Sequence, residues 1–347
     1  MIVAYCGAVF AQEVDRTARY TTVVPKLRAI DSDRWTYLSE NPENLSVAEL
    51  NQRIAEANKI EVDNSISDAS PGETLRVVCW NIERGRHWRE AVQLIQSHPA
   101  LREPDVVLLS EMDMGMARSG NEHTTREMAV ALGMNYAYGV EYVELSGGDT
   151  AEQATATGPS DYGYHGNAVL AKFPLANVRL LRFPGIERWY GTDQHRLGGR
   201  IAVIAEIELN GTSVTLISTH YESDLGDHAS RERESRMILA ELAEHAPEGP
   251  VIFGGDLNTV HTRPAVTMLE DAGFDFAGCN LLDEPTVQRV FDGEVRRVGP
   301  HIDYIAARQM EVVSSETSPA VVLGAWPDAH GRFIGDHAPV VVELRTP

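Results

Sequence analysis

Val251-Ile252-Phe253-Gly254-Gly255-Asp256-Leu257-Asn258 is an apolar run that stops at two glycines and then presents a carboxylate and a carboxamide two positions apart. It reads as a buried strand that delivers polar groups at its C-terminal end. Side chains at i and i+2 share one side of an extended chain, so Asp256 and Asn258 can converge on one point while Leu257 turns into the core. An acceptor and a donor aimed at one spot suit a metal-bound water and a phosphate oxygen. The same residues after Gly-Gly are also ordinary turn formers, so the surrounding chain has to decide between the two readings.

Working outward, the pattern repeats. Short apolar runs at 75–80, 105–109, 167–170, 201–209, 214–218, 302–306 and 339–344 read as further strands, most of them followed by polar residues. Helical periodicity falls between several of them, at 88–95, 123–132 and 230–245, and the paired charges of the last predict a solvated face. Asn210-Gly211 joins two of the strands as a hairpin, so antiparallel pairs are mixed with other pairings. Two packed mixed sheets with helices outside fit this order better than one parallel sheet. Residues 1–71 form an N-terminal extension ahead of a main domain at 72–347, the boundary falling at Ser70-Pro71-Gly72. Within the extension Ser46 and Glu49 make a capping box that predicts a helix carrying Leu50, Ile54 and Ala57. The polar, Gly- and Thr-rich segment 146–160 reads as a long surface loop.

Bulk properties bound the function. The 347 residues carry 30 Lys and Arg against 51 Asp and Glu, a net charge of -21, so the whole-molecule field repels polyanions and disfavours undirected nucleic-acid binding. Bound divalent cations can reverse that field locally. Cys6, Cys79 and Cys279 are too few for a disulfide framework, and Cys79 sits in an apolar run. No apolar run approaches the length of a membrane span. The apolar start, Met1 to Phe10, leads into small residues and reads as the remnant of an export signal at 1–11, although a basic leader is missing. We therefore expect an exported rather than a cytoplasmic protein, of undetermined oligomeric state.

Most of the strands end in residues suited to metal-assisted phosphoryl chemistry: Asn81 with Glu83, Glu111, His220, Asp256 with Asn258, Asp303, and Asp336 with His337. Each has a dull explanation as a surface acid or a structural histidine; jointly those explanations fail. The ordered series Trp80-Asn81, Glu111, Gly166 to Leu170 (G-N-A-V-L), Thr219-His220, Gly255 to Asn258 (G-D-L-N), Ile302 to Tyr304 (I-D-Y) and Asp336-His337 resembles the endonuclease/exonuclease/phosphatase superfamily. The resemblance covers roughly 75–344.

It implies an α+β fold of the DNase I type: a four-layer α/β sandwich, two mixed β-sheets packed face to face and flanked by helices. It also implies a divalent metal, Mg2+ or Mn2+, and hydrolysis of a phosphodiester or phosphomonoester by in-line attack of an activated water. Carried over residue by residue, Glu111 would be the principal metal ligand with Asn81 and Asp336 beside it, and hard oxygen donors are what magnesium prefers. Asp256 would orient or deprotonate the water, Asn258 would hold it or a phosphate oxygen, Asp303 would fix His337, and His220 would donate to the phosphate or the leaving group. Whether Asp256 or His337 is the base stays open. Glu83, Asn167, Arg200 and Arg118 are candidate phosphate or substrate contacts, with Asn121 and His123 near the last. Gly335 stands where many members of the superfamily have serine. With no basic aromatic groove in sight, a small-molecule or lipid-like phosphoester is the expected substrate. A nuclease or DNA-repair phosphodiesterase is the alternative, and a catalytically silent binding protein the remote one.

Overall fold

The computed structural model describes residues 18–30, 54–156, 158–184, 194–291, 294–313, 320–322 and 334–346. Its centre is a pair of sheets. One has six strands in the order Ala18–Tyr20, Ala176–Arg182, Ile201–Leu209, Thr212–His220, Val251–Asp256 and Asp303–Arg308. The other runs Ala320–Val322, Val340–Arg345, Thr74–Asn81, Val106–Met114, Tyr164–Ala171, Asn135–Glu144, Ile60–Asp63 and Val23–Val24, with Arg196–Gly198 added alongside Asn135–Glu144. Both sheets mix parallel and antiparallel pairs. The expected hairpin is present, with Leu209 paired to Thr212 across Asn210-Gly211.

The four layers show in where alternate side chains go. Val77 and Cys79 join Leu108, Val203, Leu216 and Ile252 between the two sheets. Their neighbours Val78 and Trp80 turn the other way, onto Ala91, Ile95 and Met128 of helices Trp88–Ser97 and Thr124–Leu132. Phe253 and Ile217 face the opposite outer layer, with Ile238 of helix His228–His245 and Leu269 of Pro264–Asp271. Each buried aliphatic or aromatic side chain contributes roughly 1.5–3 kcal/mol relative to exposure, so this two-sided burial dominates the fold energetics. It also explains the glycines of the opening stretch. A Cβ on Gly254 would lie 2.8 Å from Leu108 Cδ1 of the facing sheet, and one on Gly255 would lie 1.9 Å from Thr219 O.

Parallel pairing sends chemistry to one end. Thr74–Asn81 runs parallel to Val106–Met114, and Thr212–His220 parallel to Val251–Asp256, with His220 in register with Asp256. Just beneath that end Ser218 Oγ donates to Leu109 O (3.1 Å) and Ser110 Oγ to Thr219 O (3.3 Å), tying the sheets together.

Three expectations change. The segment 146–160 is not wholly irregular: it contains helix Thr150–Thr155, whose N-cap Asp149 and Glu152 form a reciprocal capping box. The charged helix His228–His245 buries part of its polar face, because Arg231 Nη1 donates to the Glu222 and Asp224 carbonyls (2.7 and 2.8 Å) and thereby satisfies loop backbone. Strands Asn135–Glu144 and Ala176–Arg182 are additional to those read from the sequence. The extension supplies the edge strands 18–20 and 23–24, one to each sheet, and the strand 60–63 next to the latter. Ser46, Glu49, Leu50, Cys6 and the apolar start lie outside the described residues, while Ile54 and Ala57 belong to a short 3-10 turn. Cys79 and Cys279 are buried free thiols. Among the described residues no helix is long and apolar enough to cross a membrane.

Candidate active site

Asn81, His220 and Asp256 are each the last residue of a strand, and Asp303 is the first residue of the strand antiparallel to Val251–Asp256, directly opposite Asp256. A cleft of about 270 Å³ opens beside these strand ends, lined by Glu111, His220, Asp256, Asn258 and His337. One residue joins the two sheets across it: Asn81 Nδ2 donates to Glu111 Oε1 (3.2 Å) and to Asp256 Oδ2 (3.1 Å).

One half of the site is a chain of buried titratable side chains. His337 Nδ1 donates to Asp303 Oδ2 at 2.7 Å, leaving Nε2 3.7 Å from Asp256 Oδ2. Trp80 Nε1 donates to the His337 carbonyl (2.9 Å) and pins the segment. Burial alone would pull the His337 pKa down, but Asp303 and Asp256 outweigh it and hold the imidazolium well above the usual histidine range. Burial, then the neighbouring Asp303 carboxylate, push Asp256 up to about 7, against the opposing pull of His337. His220 is the opposite case. Arg200 Nη1 donates to His220 Nδ1 (2.9 Å), so this nitrogen is an acceptor and the proton sits on Nε2, 3.6 Å from Asp256 Oδ2. Burial, reinforced by the Arg200 cation, lowers the His220 pKa and keeps that ring neutral. Asn258 Nδ2 donates to Tyr221 O (3.0 Å) and its backbone N–H to Asp256 Oδ1 (2.9 Å), which fixes the carboxylate plane.

The other half is a set of oxygen donors. Glu111 Oε2 is ion-paired with Arg84, and Glu83 with Arg86. Burial alone would raise Glu111, yet the Arg84 guanidinium outweighs it and holds Glu111 well below the usual carboxylate range. Glu83 is pushed up to about 7 by burial and then by Asp336. Asp336 is likewise raised, by burial and Glu111, against the pull of His337. Carboxylates that raise one another's pKa beside a carboxamide oxygen form the hard, anionic donor set that a divalent cation neutralises. Asn81, Glu111 and Asp336 therefore fit such an ion chemically. Among the described residues, however, the trio whose ligand atoms all approach within 4.8 Å is Asp256, Asp303 and His337. Its shortest contact is the 2.7 Å hydrogen bond just described, so we read it as the proton-handling group.

The remaining candidates divide. Arg200 lines the cleft but is heavily engaged, donating to Glu141 Oε1 (2.6 Å), His220 and Ser223 Oγ (2.8 Å). Asn167 is buried beside the site, and the amide orientation that satisfies it donates to Glu141 Oε2 at 3.2 Å. Arg118 does not reach the cleft. Its side chain is 1% exposed and pairs with Asp113 (2.8 Å) and Glu152 (2.9 Å), an internal charge cluster rather than a substrate contact. His123 is turned inward to Glu61 (3.1 Å), and Asn121 Nδ2 is bonded to Pro159 O (3.1 Å). Arg84, His165 and Arg196, which no strand-end pattern marks, also line the cleft. Two of them carried a signal: His165 immediately precedes the G-N-A-V-L string and Arg84 follows Trp80-Asn81-Ile82-Glu83.

A profile of the Endonuclease/Exonuclease/phosphatase family matches residues 78–337. The chain belongs to this family. The expected DNase I-like sandwich of two mixed sheets and flanking helices is what the structure shows, and the fold is that of phosphoester hydrolases. Similar solved structures include the human Nocturnin catalytic domain with bound sulfate (17% identity, 79% of this chain and 94% of that one, TM-score 0.55). Others are a mannosyl-6-phosphatase from Bacteroides thetaiotaomicron (17%, 78% and 99%, 0.53) and D. rerio TDP2 with a single-strand DNA product (20%, 79% and 100%, 0.52). At these identities the likeness is one of fold. No curated protein matches the sequence.

Proposed function

We propose that this family member is a divalent-metal-dependent phosphoesterase that hydrolyses a phosphodiester or phosphomonoester of small-molecule or lipid-like type. The observation that carries the reading is the meeting of a buried Asp256–His337–Asp303 group with the Glu111 and Asn81 oxygen donors, joined by Asn81 across the cleft. Asp256 is the base, because His337 is held as a cation and cannot accept a proton, whereas Asp256 at about 7 is poised to do so. Asn258, with Nδ2 already bonded to Tyr221, keeps its carbonyl oxygen for the attacking water. The His337 imidazolium and the Nε2–H of His220 face charge that grows on the phosphate and the leaving oxygen. A divalent ion held by Glu111, Asn81 and Asp336 would add Lewis-acid neutralisation of the phosphate.

The acidic whole-molecule charge of -21 supports a small or lipid-like substrate over nucleic acid. TDP2, with its DNA product, and the mannosyl-6-phosphatase share the fold, so both substrate kinds enter the test. The screen offers a chromogenic diester, inositol phosphates, sphingomyelin, plasmid and single-stranded DNA, each with Mg2+, Mn2+ or EDTA. We expect metal-dependent turnover of a small or lipid-like ester and none in EDTA. Activity that survives EDTA overturns the metal mechanism; plasmid nicking at low enzyme overturns the substrate class.

A further inference from the structure

Glu83, Arg84 and Gly85 have φ of 48, 68 and 64°, three consecutive left-handed residues. Non-glycine L-residues enter that region at an energetic cost and usually singly, so such a turn persists only where its surroundings impose it. The surroundings here are specific. A Cβ on Gly85 would stand 2.7 Å from Thr124 Oγ1, so the turn is seated tightly against helix Thr124–Leu132. Its product is the placement of one guanidinium. Arg84 is ion-paired with Glu111 Oε2 at the cleft wall, and its Nε lies 3.3 Å from Glu152 Oε1.

The two carboxylates are not equivalent seats. Glu111 itself has a left-handed φ of 59° and offers Arg84 its Oε2, while Asn81 takes Oε1. Glu152 is 7% exposed and is fixed from behind, its Oε2 accepting from Arg118 Nη1 (2.9 Å) and from the Asp149 backbone N–H (3.0 Å). Arg118 already neutralises Glu152 and repels Arg84. Arg84 therefore bridges two carboxylates, with Nη1 closely on Glu111 and Nε on the more distant Glu152. We propose that Arg84 is an exchangeable internal counter-ion: it orients Glu111 Oε2, and it moves wholly onto Glu152 when Glu111 takes a divalent metal. This inference rests on the metal reading above. Its consequence is that metal affinity is set by competition with a cation of the protein's own, and that the segment carrying Glu152 takes part in metal uptake.

The test is Mn2+ binding to the full chain by calorimetry, with far-UV circular dichroism on each variant. Arg84→Gln removes the competitor and tightens Mn2+ binding by at least about tenfold, since neighbouring charges in a partly buried site interact by more than the 1.4 kcal/mol that a factor of ten represents. Arg84→Lys keeps a cation and stays near the wild-type affinity. Glu152→Gln removes the second seat and weakens binding several-fold. Unchanged or weaker binding in Arg84→Gln, while Glu111→Gln abolishes it, overturns the counter-ion and leaves the metal site standing. Wild-type binding in Glu111→Gln overturns the metal reading itself. Should Arg84→Gln fail to fold, Glu152→Gln decides alone: weakened binding supports the exchange and unchanged binding overturns it.

Discussion

Two buried carboxylates in this molecule look alike on paper and are built for different ends. Glu61, on strand Ile60–Asp63 between Asn135–Glu144 and Val23–Val24, accepts from Leu27 N (2.7 Å), Tyr136 Oη (2.7 Å), Arg126 Nη2 (2.8 Å) and His123 Nε2 (3.1 Å). Glu111 accepts from Asn81 and pairs with Arg84 at the wall of a cleft. Glu61 is fully enclosed and its partners hold it in place. Glu111 is reachable and faces other carboxylates, so its neighbourhood has room for an exchange of cations. Burial with an arginine is thus no mark of function; access and incomplete saturation are.

That contrast can be broken most severely at Glu111. Glu111→Gln should lower kcat on a chromogenic diester by about 10²- to 10⁴-fold with the circular dichroism spectrum intact, as expected for a group that neutralises transition-state charge. Wild-type turnover in that variant would remove the distinction altogether. Glu61→Gln should do the reverse, leaving turnover per folded molecule unchanged while destabilising the fold. Burial alone would raise its pKa, but the bonds from His123 and Arg126 bring it down to about 2 from 4.5, which corresponds to stability on the order of 3 kcal/mol. The folded-state value is depressed, so this stability is present above the unfolded pKa near 4.5 and is lost as pH falls toward about 2. Urea titrations of wild type and variant at neutral pH and below pH 4 should therefore converge in acid; a constant gap would show that lost packing, not charge, explains the difference.

The pH profile of kcat/KM sharpens the catalytic side. Asp256 must lose its proton to act as base, so the rate should rise up to about tenfold per pH unit on the acid limb and level near 7. A rate that falls across this range would return the base role to another group. The smallest effect is expected at Arg289, which is half exposed and lies 3.5 Å from Asp336. Exposed pairs contribute about 0–1 kcal/mol, so Arg289→Ala should change turnover by no more than about fivefold. A loss of two orders of magnitude would place that side chain on the substrate.

Much of the fold was legible because its signals are local. The Asn210-Gly211 turn and the apolar strands beside it read correctly, as did the Gly-Gly stop before Asp256. Strand Asn135–Glu144 was missed for a physical reason: every residue is buried, so no polar alternation marks it, and its Glu141 and Glu144 look like surface acids. Only tertiary pairing makes them tolerable inside, Glu141 through Arg200 at 2.6 Å and Glu144 beside Arg118 at 3.5 Å and Arg196 at 3.6 Å. The same cause misdirected the reading of Arg118, whose residue type suits a phosphate and whose position does not.

By itself, then, the sequence determined which groups are available at or beside the strand ends: Asn81, His220, Asp256, Asn258, Asp303 and His337, each near an apolar run. Glu111, read as a strand end, instead lies inside strand Val106–Met114, where a bulge between Leu109 and Met112 and its own left-handed φ of 59° break the ladder. Tertiary structure alone decided their states. Protonation and tautomer follow from the field of neighbours brought from distant strands, so the charge of His337, the neutrality of His220 and the hold of Arg84 on Glu111 exist only once both sheets have packed.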